Sequence, residues 1–226
     1  DIFGSLFHKA MELIYTDDNS AHHREKRYIE SIVDKAFFDI LMMKSEDIRG
    51  RNLVIRELLK RYVTYTLEAD RLVGGLVVMK TEKVYKCRFC LDAQKELFVT
   101  LKGIVDRIDS TEIGNRVVDY KTGRVNVKTG IEPKHLDQLY FYLLLLTAPE
   151  NRILPGIDRV TLDIFYVREG YRKSYREAVP SEESFNAFKE EMKETLLEIL
   201  NPDADFIMTD DLTKCGYCPF KDICNR

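Results

Sequence analysis

The sequence predicts an α/β domain with a mixed central sheet flanked by helices, and three observations carry that reading. Up to residue 73 the apolar residues recur at helical spacing, which marks a helical N-terminal section. From about residue 76 to 121 the pattern changes to period two, the signature of strands. An apolar helix then follows the strands and must cover one face of their sheet.

The elements follow in order. Phe3, Phe7, Ala10 and Ile14 give an amphipathic helix over 3–15. Two longer helices are expected over 22–43 and 46–71, the second opened by Ser45 as its N-cap. Gly74 and Gly75 close the section. Strands are expected at 76–87, 97–109 and 115–121, with a loop from Val125 to Gly130. Pro133 opens a helix through Thr147, in the first-turn position that tolerates proline. Strands at 159–167 and 172–178 follow, turning at Glu169 and Gly170. Ser181, Glu182 and Glu183 start a final helix to Leu200, their charge and hydroxyl suited to a helix N-terminus. The whole of 1–226 is read as a single domain, with a helical section (1–73), a core (74–200) and a Cys-rich tail (201–226).

With 226 residues the chain can bury a proper core. Its longest apolar run, Leu139–Leu146, is far too short to span a bilayer, and no signal peptide is visible. No membrane partner is expected. Five cysteines, an odd number, argue against a disulfide framework and for a reducing cytoplasm. The first residue is Asp1 and a helix begins at once, so a fragment of a longer protein is expected. A net charge of −3 neither predicts nor excludes a nucleic-acid partner, but Lys121, Arg124, Lys128 and Lys134 form a local basic group. There is no Gly-rich phosphate loop, which argues against a nucleotide-hydrolysing motor.

The chemistry centres on a hairpin. Gly103–Asp109 and Val117–Gly123 read as its two strands. Residues two apart share a face, so Asp119 and Lys121 point together while Tyr120 points away. Asp106 can join them from the neighbouring strand, whereas Arg107 and Asp109 face oppositely, and Asp109 is read as structural. Two carboxylates and a lysine on one face suit a divalent metal and a phosphate.

The Asp106 strand and the Asp119-Tyr120-Lys121 strand resemble the core of the PD-(D/E)XK nuclease superfamily, whose core is restriction-endonuclease-like. Gln138-Leu-Tyr-Phe-Tyr142 is similar to the Gln-x-x-x-Tyr motif of its RecB-like branch. Gly4-Ser-Leu-Phe-His8-Lys-Ala10 resembles that branch's N-terminal helix with a metal-binding histidine. The resemblance implies a Mg²⁺- or Mn²⁺-dependent hydrolysis of DNA phosphodiesters, with single-stranded ends as substrate. It assigns His8, Asp106, Asp119 and the Tyr120 carbonyl to the metal, Lys121 to the attacking water and the phosphate, and Gln138 and Tyr142 to the margin of the catalytic site. Glu82 resembles a site-proximal glutamate of the branch, and an exposed strand glutamate is an equal reading. His22, His23 and His135 carry no motif and are read as surface.

Cys215, Cys218 and Cys224, at spacings of three and six, call for a soft metal centre. They resemble the end of the iron–sulfur staple of AddB-type and CRISPR-associated RecB-like nucleases, where a fourth, upstream Cys completes a [4Fe–4S] cluster. That Cys is expected upstream of Asp1, so the cluster is expected in the parent protein and lacks its fourth ligand in this sequence. A Cys₄ zinc site using Cys87, Cys90, Cys215 and Cys218 is the competing reading; odd spacing puts Cys87 and Cys90 on opposite strand faces. The resemblance points to a C-terminal nuclease domain of an AddB-like repair and recombination protein, with a helicase or nuclease partner subunit. The alternatives are a catalytically silent DNA-end-binding or structural module with a Cys-bound metal and, more weakly, a restriction-type endonuclease.

Overall fold

The computed structural model describes residues 2–16, 25–124, 129–169, 175–205 and 207–225. Among them, five strands form one mixed sheet in the order β1-β2-β3-β4-β5. They are β1 (Val77–Asp92), β2 (Leu97–Ser110), β3 (Asn115–Lys121), β4 (Val160–Tyr166) and β5 (Tyr175–Ala178). Only the β3–β4 pairing is parallel. That pair needs a crossover, and α4 (Pro133–Thr147) lies within it. The mixed sheet is the one the sequence predicts.

The helical section contains α1 (Ile2–Thr16), α2 (Lys26–Leu41) and α3 (Arg51–Asp70). α1 buries Leu6, Phe7, Ala10, Met11 and Ile14, one stripe at helical spacing. This stripe joins Val33 and Phe37 of α2, Leu59 and Val63 of α3, and Val118, Tyr120 and Phe165 of the sheet in one core. α4 buries Leu139, Leu143 and Leu146. The continuous helix expected over 46–71 is broken: Ser45–Asp47 is a separate 3-10 turn, and α3 starts after Gly50.

 Ser45 does not cap α3; its hydroxyl donates to Asp34 Oδ2 at 2.7 Å and so ties the turn to α2. The first helix residue of α2 is Lys26, and residues 22–24, with His22 and His23, lie outside the described residues. So do Lys128 and most of the expected loop.

β1 runs five residues beyond the expected end at Cys87. The hairpin turns instead at Asp92, whose Oδ1 accepts from the Gln94 and Lys95 N–H groups. Such a side-chain-supported turn is favoured by Asp. The turn between β2 and β3 depends on Gly114, with φ +150° and room for no side chain: a Cβ there would lie 2.0 Å from the Arg159 carbonyl oxygen. The helix expected from Ser181 is α5 (Glu182–Ile199), capped by the Ser181 hydroxyl, which accepts from the Ser184 N–H.

The chain divides into two compact units, Asp1–Phe188 and Lys189–Arg226. Within the second, the short helix α6 (Leu212–Cys215) is capped by Asp211, which accepts from the Thr213 N–H at 3.0 Å. Among the described residues, no helix is long and apolar enough to cross a membrane.

Candidate active site

The site forms where β2 and β3 part. Their pairing runs from Ser110 opposite Asn115 to Arg107 opposite Val118. Beyond it the Tyr120 N–H donates to Asp106 Oδ2 at 2.9 Å. A side chain thus takes over a strand's hydrogen bond and holds Asp106 at the fork. On β3, Lys121 Nζ lies 2.7 Å from Asp119 Oδ2, as a shared face requires.

Tyr120 points to the opposite face, where its hydroxyl accepts from Arg107 Nη1 at 2.9 Å. Arg107 is fully buried there and also donates to Asp109 and Asp70, at 2.6 and 2.7 Å. The Tyr15 hydroxyl donates to Asp70 as well. This charged network joins α1 and α3 to the back of the sheet, and Asp109 has the structural place that strand alternation predicts.

On the front, α4 supplies Gln138 and Tyr142, four residues apart and on one helical face. Lys121 donates to Gln138 Oε1 at 2.6 Å, and Gln138 Nε2 donates to the Tyr142 hydroxyl at 2.7 Å. That hydroxyl lies 3.2 Å from Asp106 Oδ1 and 3.4 Å from Asp119 Oδ1. The chain of contacts therefore starts at the lysine and ends on both carboxylates.

α1 brings the histidine. Its Phe7 and His8 rings meet Tyr120 edge-on, with centroids 5.4 and 5.8 Å away. Gly4 permits the close approach, since a Cβ there would stand 3.3 Å from Thr122 Oγ1. His8 Nδ1 lies 2.8 Å from Glu82 Oε1 and 3.6 Å from Asp106 Oδ2. Glu82, one of two equal readings in the sequence, is thus a site residue by position. Its backbone has φ +45°, an irregularity within β1 that strand periodicity does not disclose.

Burial and like charge govern the titration of these groups. Desolvation raises Asp119 to about 7, helped by the Asp106 charge and opposed by Lys121. Desolvation also raises Asp106, against the pull of His8. For His8 burial acts downward, but the Glu82 hydrogen bond and the Asp106, Glu82 and Asp119 charges raise it to about 9. Tyr142 is raised by burial and by both aspartates, so its hydroxyl stays protonated and can donate.

Donor atoms of His8, Glu82 and Asp106 lie within 4.8 Å of one another. One imidazole nitrogen among hard carboxylate oxygens fits Mg²⁺ or Mn²⁺. The excess of buried negative charge, which raises the proton affinity of His8 and Asp119, is a further mark of a place suited to a cation.

His135, read as surface, is half-buried: its Nδ1 lies 3.0 Å from the Tyr166 hydroxyl, and burial and the nearby Lys121 charge lower its pKa. No motif marked it, because the contact crosses from α4 to β4. Lys134 remains exposed and pairs with Glu132 at 3.2 Å. Cys87 is buried and Cys90 exposed, in keeping with opposite faces of β1. In the second unit, Cys215, Cys218 and Cys224 line one cavity with Lys214, Lys221 and Met208. A larger cavity of about 370 Å³ involves none of the site residues; Glu112, Arg116, Asp163 and Glu177 are among its lining.

Fold and site together define a class: a mixed-sheet α/β domain with an acidic, lysine-bearing centre fit for a divalent cation. The family model of the PD-(D/E)XK nuclease superfamily matches residues 1–225, and the chain belongs to that superfamily. Among solved structures, that of SSO0001 is similar at 18% identity and a TM-score of 0.38, over 98% of this chain and 84% of that one. So slight a likeness bears on neither fold nor function. No curated protein matches.

Proposed function

We propose that the domain is a Mg²⁺- or Mn²⁺-dependent deoxyribonuclease of the RecB-like branch, acting on single-stranded DNA ends. The observation that carries this reading is the convergence of His8, Glu82, Asp106, Asp119, Lys121, Gln138 and Tyr142, from α1, three strands and α4, on one acidic centre. His8, Asp106, Asp119 and the Tyr120 carbonyl would hold the cation, with Glu82 beside them. When bound, the cation supplies Lewis-acid polarisation of the phosphate and a more acidic water.

The chain's own residues do the rest. Lys121, steered by Gln138 and Asp119, sets its ammonium against the negative charge that grows on the scissile phosphate. Gln138 and Tyr142 are positioning residues, since they hold Lys121 and the two aspartates in one hydrogen-bonded array. To hold a cation, His8 would have to give up its proton.

The repair context is a finer proposal: an AddB-like protein with a helicase or nuclease partner subunit, in which Cys215, Cys218 and Cys224 supply three ligands of a [4Fe–4S] cluster. Their common cavity supports it. The test is cleavage of labelled single-stranded DNA with Mn²⁺ by the wild type, Asp119→Ala and Lys121→Ala. Loss in both variants is expected. Equal cleavage in all three would sink the site assignment, and no cleavage by any of them would favour a silent DNA-end-binding module.

A further inference from the structure

The distal half of the β1–β2 hairpin presents one continuous exposed face. Cross-strand partners share a face, and the register pairs Val84 with Ile104, Lys86 with Lys102, Arg88 with Thr100 and Cys90 with Phe98. All eight residues are exposed. Three are cations and none is acidic. Among the described residues, none of these cations forms an ion pair with a carboxylate. Glu150 approaches the Arg88 backbone N–H, and the Arg88 guanidinium lies over the Phe98 ring, 4.4 Å from its centroid.

Two features of this face work against the free protein. Lys86 and Lys102 stand directly opposite each other, an arrangement that is destabilising in a sheet. Phe98, Ile104 and Val84 are 42%, 50% and 44% exposed, so an aromatic ring and two branched side chains meet water among the cations. A polyanion with flat apolar faces resolves both: phosphates separate the lysines, and bases stack on the ring.

We propose that this face is a binding platform for single-stranded DNA, which leads the strand to the catalytic centre. The inference rests on the nuclease reading and deepens it. β2 itself connects the two, because Ile104 is two residues from Asp106. Phe98 and Asp106 are eight residues apart, roughly 26 Å along a strand, room for about four nucleotides of an extended strand. Stacking on an aromatic side chain beside cations is the usual means of holding a single strand without reading its sequence.

The experiment is fluorescence anisotropy of a labelled twelve-nucleotide oligo(dT) with the full chain in EDTA. Phe98→Ala is expected to weaken binding roughly tenfold. Lys86→Ala combined with Lys102→Ala should weaken it further at low salt and flatten the slope of log affinity against log salt by about 1.4. Lys44→Ala, an exposed cation of the helical section, serves as the control and binds as wild type. Wild-type affinity in both hairpin variants would overturn the proposal, as would a blunt duplex that binds as tightly and responds equally to the substitutions. EDTA separates this result from the nuclease reading. Binding that follows the expected pattern without any cleavage in Mn²⁺ fails that reading alone; Mn²⁺-dependent cleavage with hairpin variants that bind normally fails this one alone.

Discussion

Replacing Asp119 by Asn should stabilise the metal-free protein while abolishing its cleavage of DNA. Asp119 is fully buried, and its carboxyl is pushed from 3.8 to about 7 by desolvation and the Asp106 charge. At pH 8 the folded protein holds this group ionised against that gradient, at a cost of about 4 kcal/mol, taking about 1.4 kcal/mol per tenfold in proton affinity. Asn keeps the shape and an acceptor for Lys121, whose attraction at 2.7 Å is already contained in that value, but it buries an amide N–H2 in a place shaped for an acceptor, which takes back about 2 kcal/mol. The net gain is about 2 kcal/mol, or about 4–8 °C in a domain of this size.

The assay is thermal unfolding at pH 8 in EDTA and again with Mn²⁺. The wild type should be stabilised by Mn²⁺, and Asp119→Asn should melt higher in EDTA but gain little from the ion. A variant that melts lower than wild type in EDTA, or that gains as much from Mn²⁺, would refute the argument. The first result would mean that burial of the Asp119 charge is not the dominant strain. The second would mean that Asp119 is not part of the cation's surroundings.

Three further predictions follow from the same charges and contacts. The folded pKa values of Asp119 (about 7) and His8 (about 9) lie above their ordinary values of 3.8 and 6.5. Each therefore contributes stability at low pH that is lost as pH rises through its folded pKa. The melting temperature in EDTA should fall between pH 6 and 9 on this account, while stabilisation by Mn²⁺ grows, because the cation displaces the same protons; a melting temperature in EDTA that climbs over that range would contradict it. Arg107→Met leaves Asp70 and Asp109 buried without their shared cation and should destabilise by about 3–5 kcal/mol in urea unfolding. Gly114→Ala, at φ +150° and against the Arg159 carbonyl, should cost more than about 2 kcal/mol by the same measurement, and an unchanged midpoint would show that the turn can relax.

What could be read in the sequence is what short-range periodicity controls. Strand alternation alone places Asp119 and Lys121 on one face and Tyr120 on the other, and both the front site and the back network follow from it. Helical spacing does the same for Gln138 with Tyr142. The helix over 133–147 is framed by Pro133 and an apolar face, both local signals. Boundaries were less legible: the break at Ser45–Gly50 depends on a hydroxyl bonded to a different helix, and the true hairpin turn lay in one Asp side chain.

The contacts that sequence did not disclose are those that link distant segments through a single side chain. Arg107 meets Asp70 across 37 positions and Tyr15 across 92, and no local pattern reports either partner. Yet this hidden network bears on the visible site. Arg107 holds the Tyr120 hydroxyl on the back face, Phe7 and His8 pack on the Tyr120 ring, and the Tyr120 N–H holds Asp106 on the front. One residue of β3 therefore couples the buried arginine, the histidine helix and a carboxylate. It follows that Tyr120→Leu, which keeps the backbone N–H and fills much of the space, should leave Asp106 in place but loosen α1. His8 would then be the first site residue to lose its position, and the Mn²⁺ stabilisation should fall while the sheet persists.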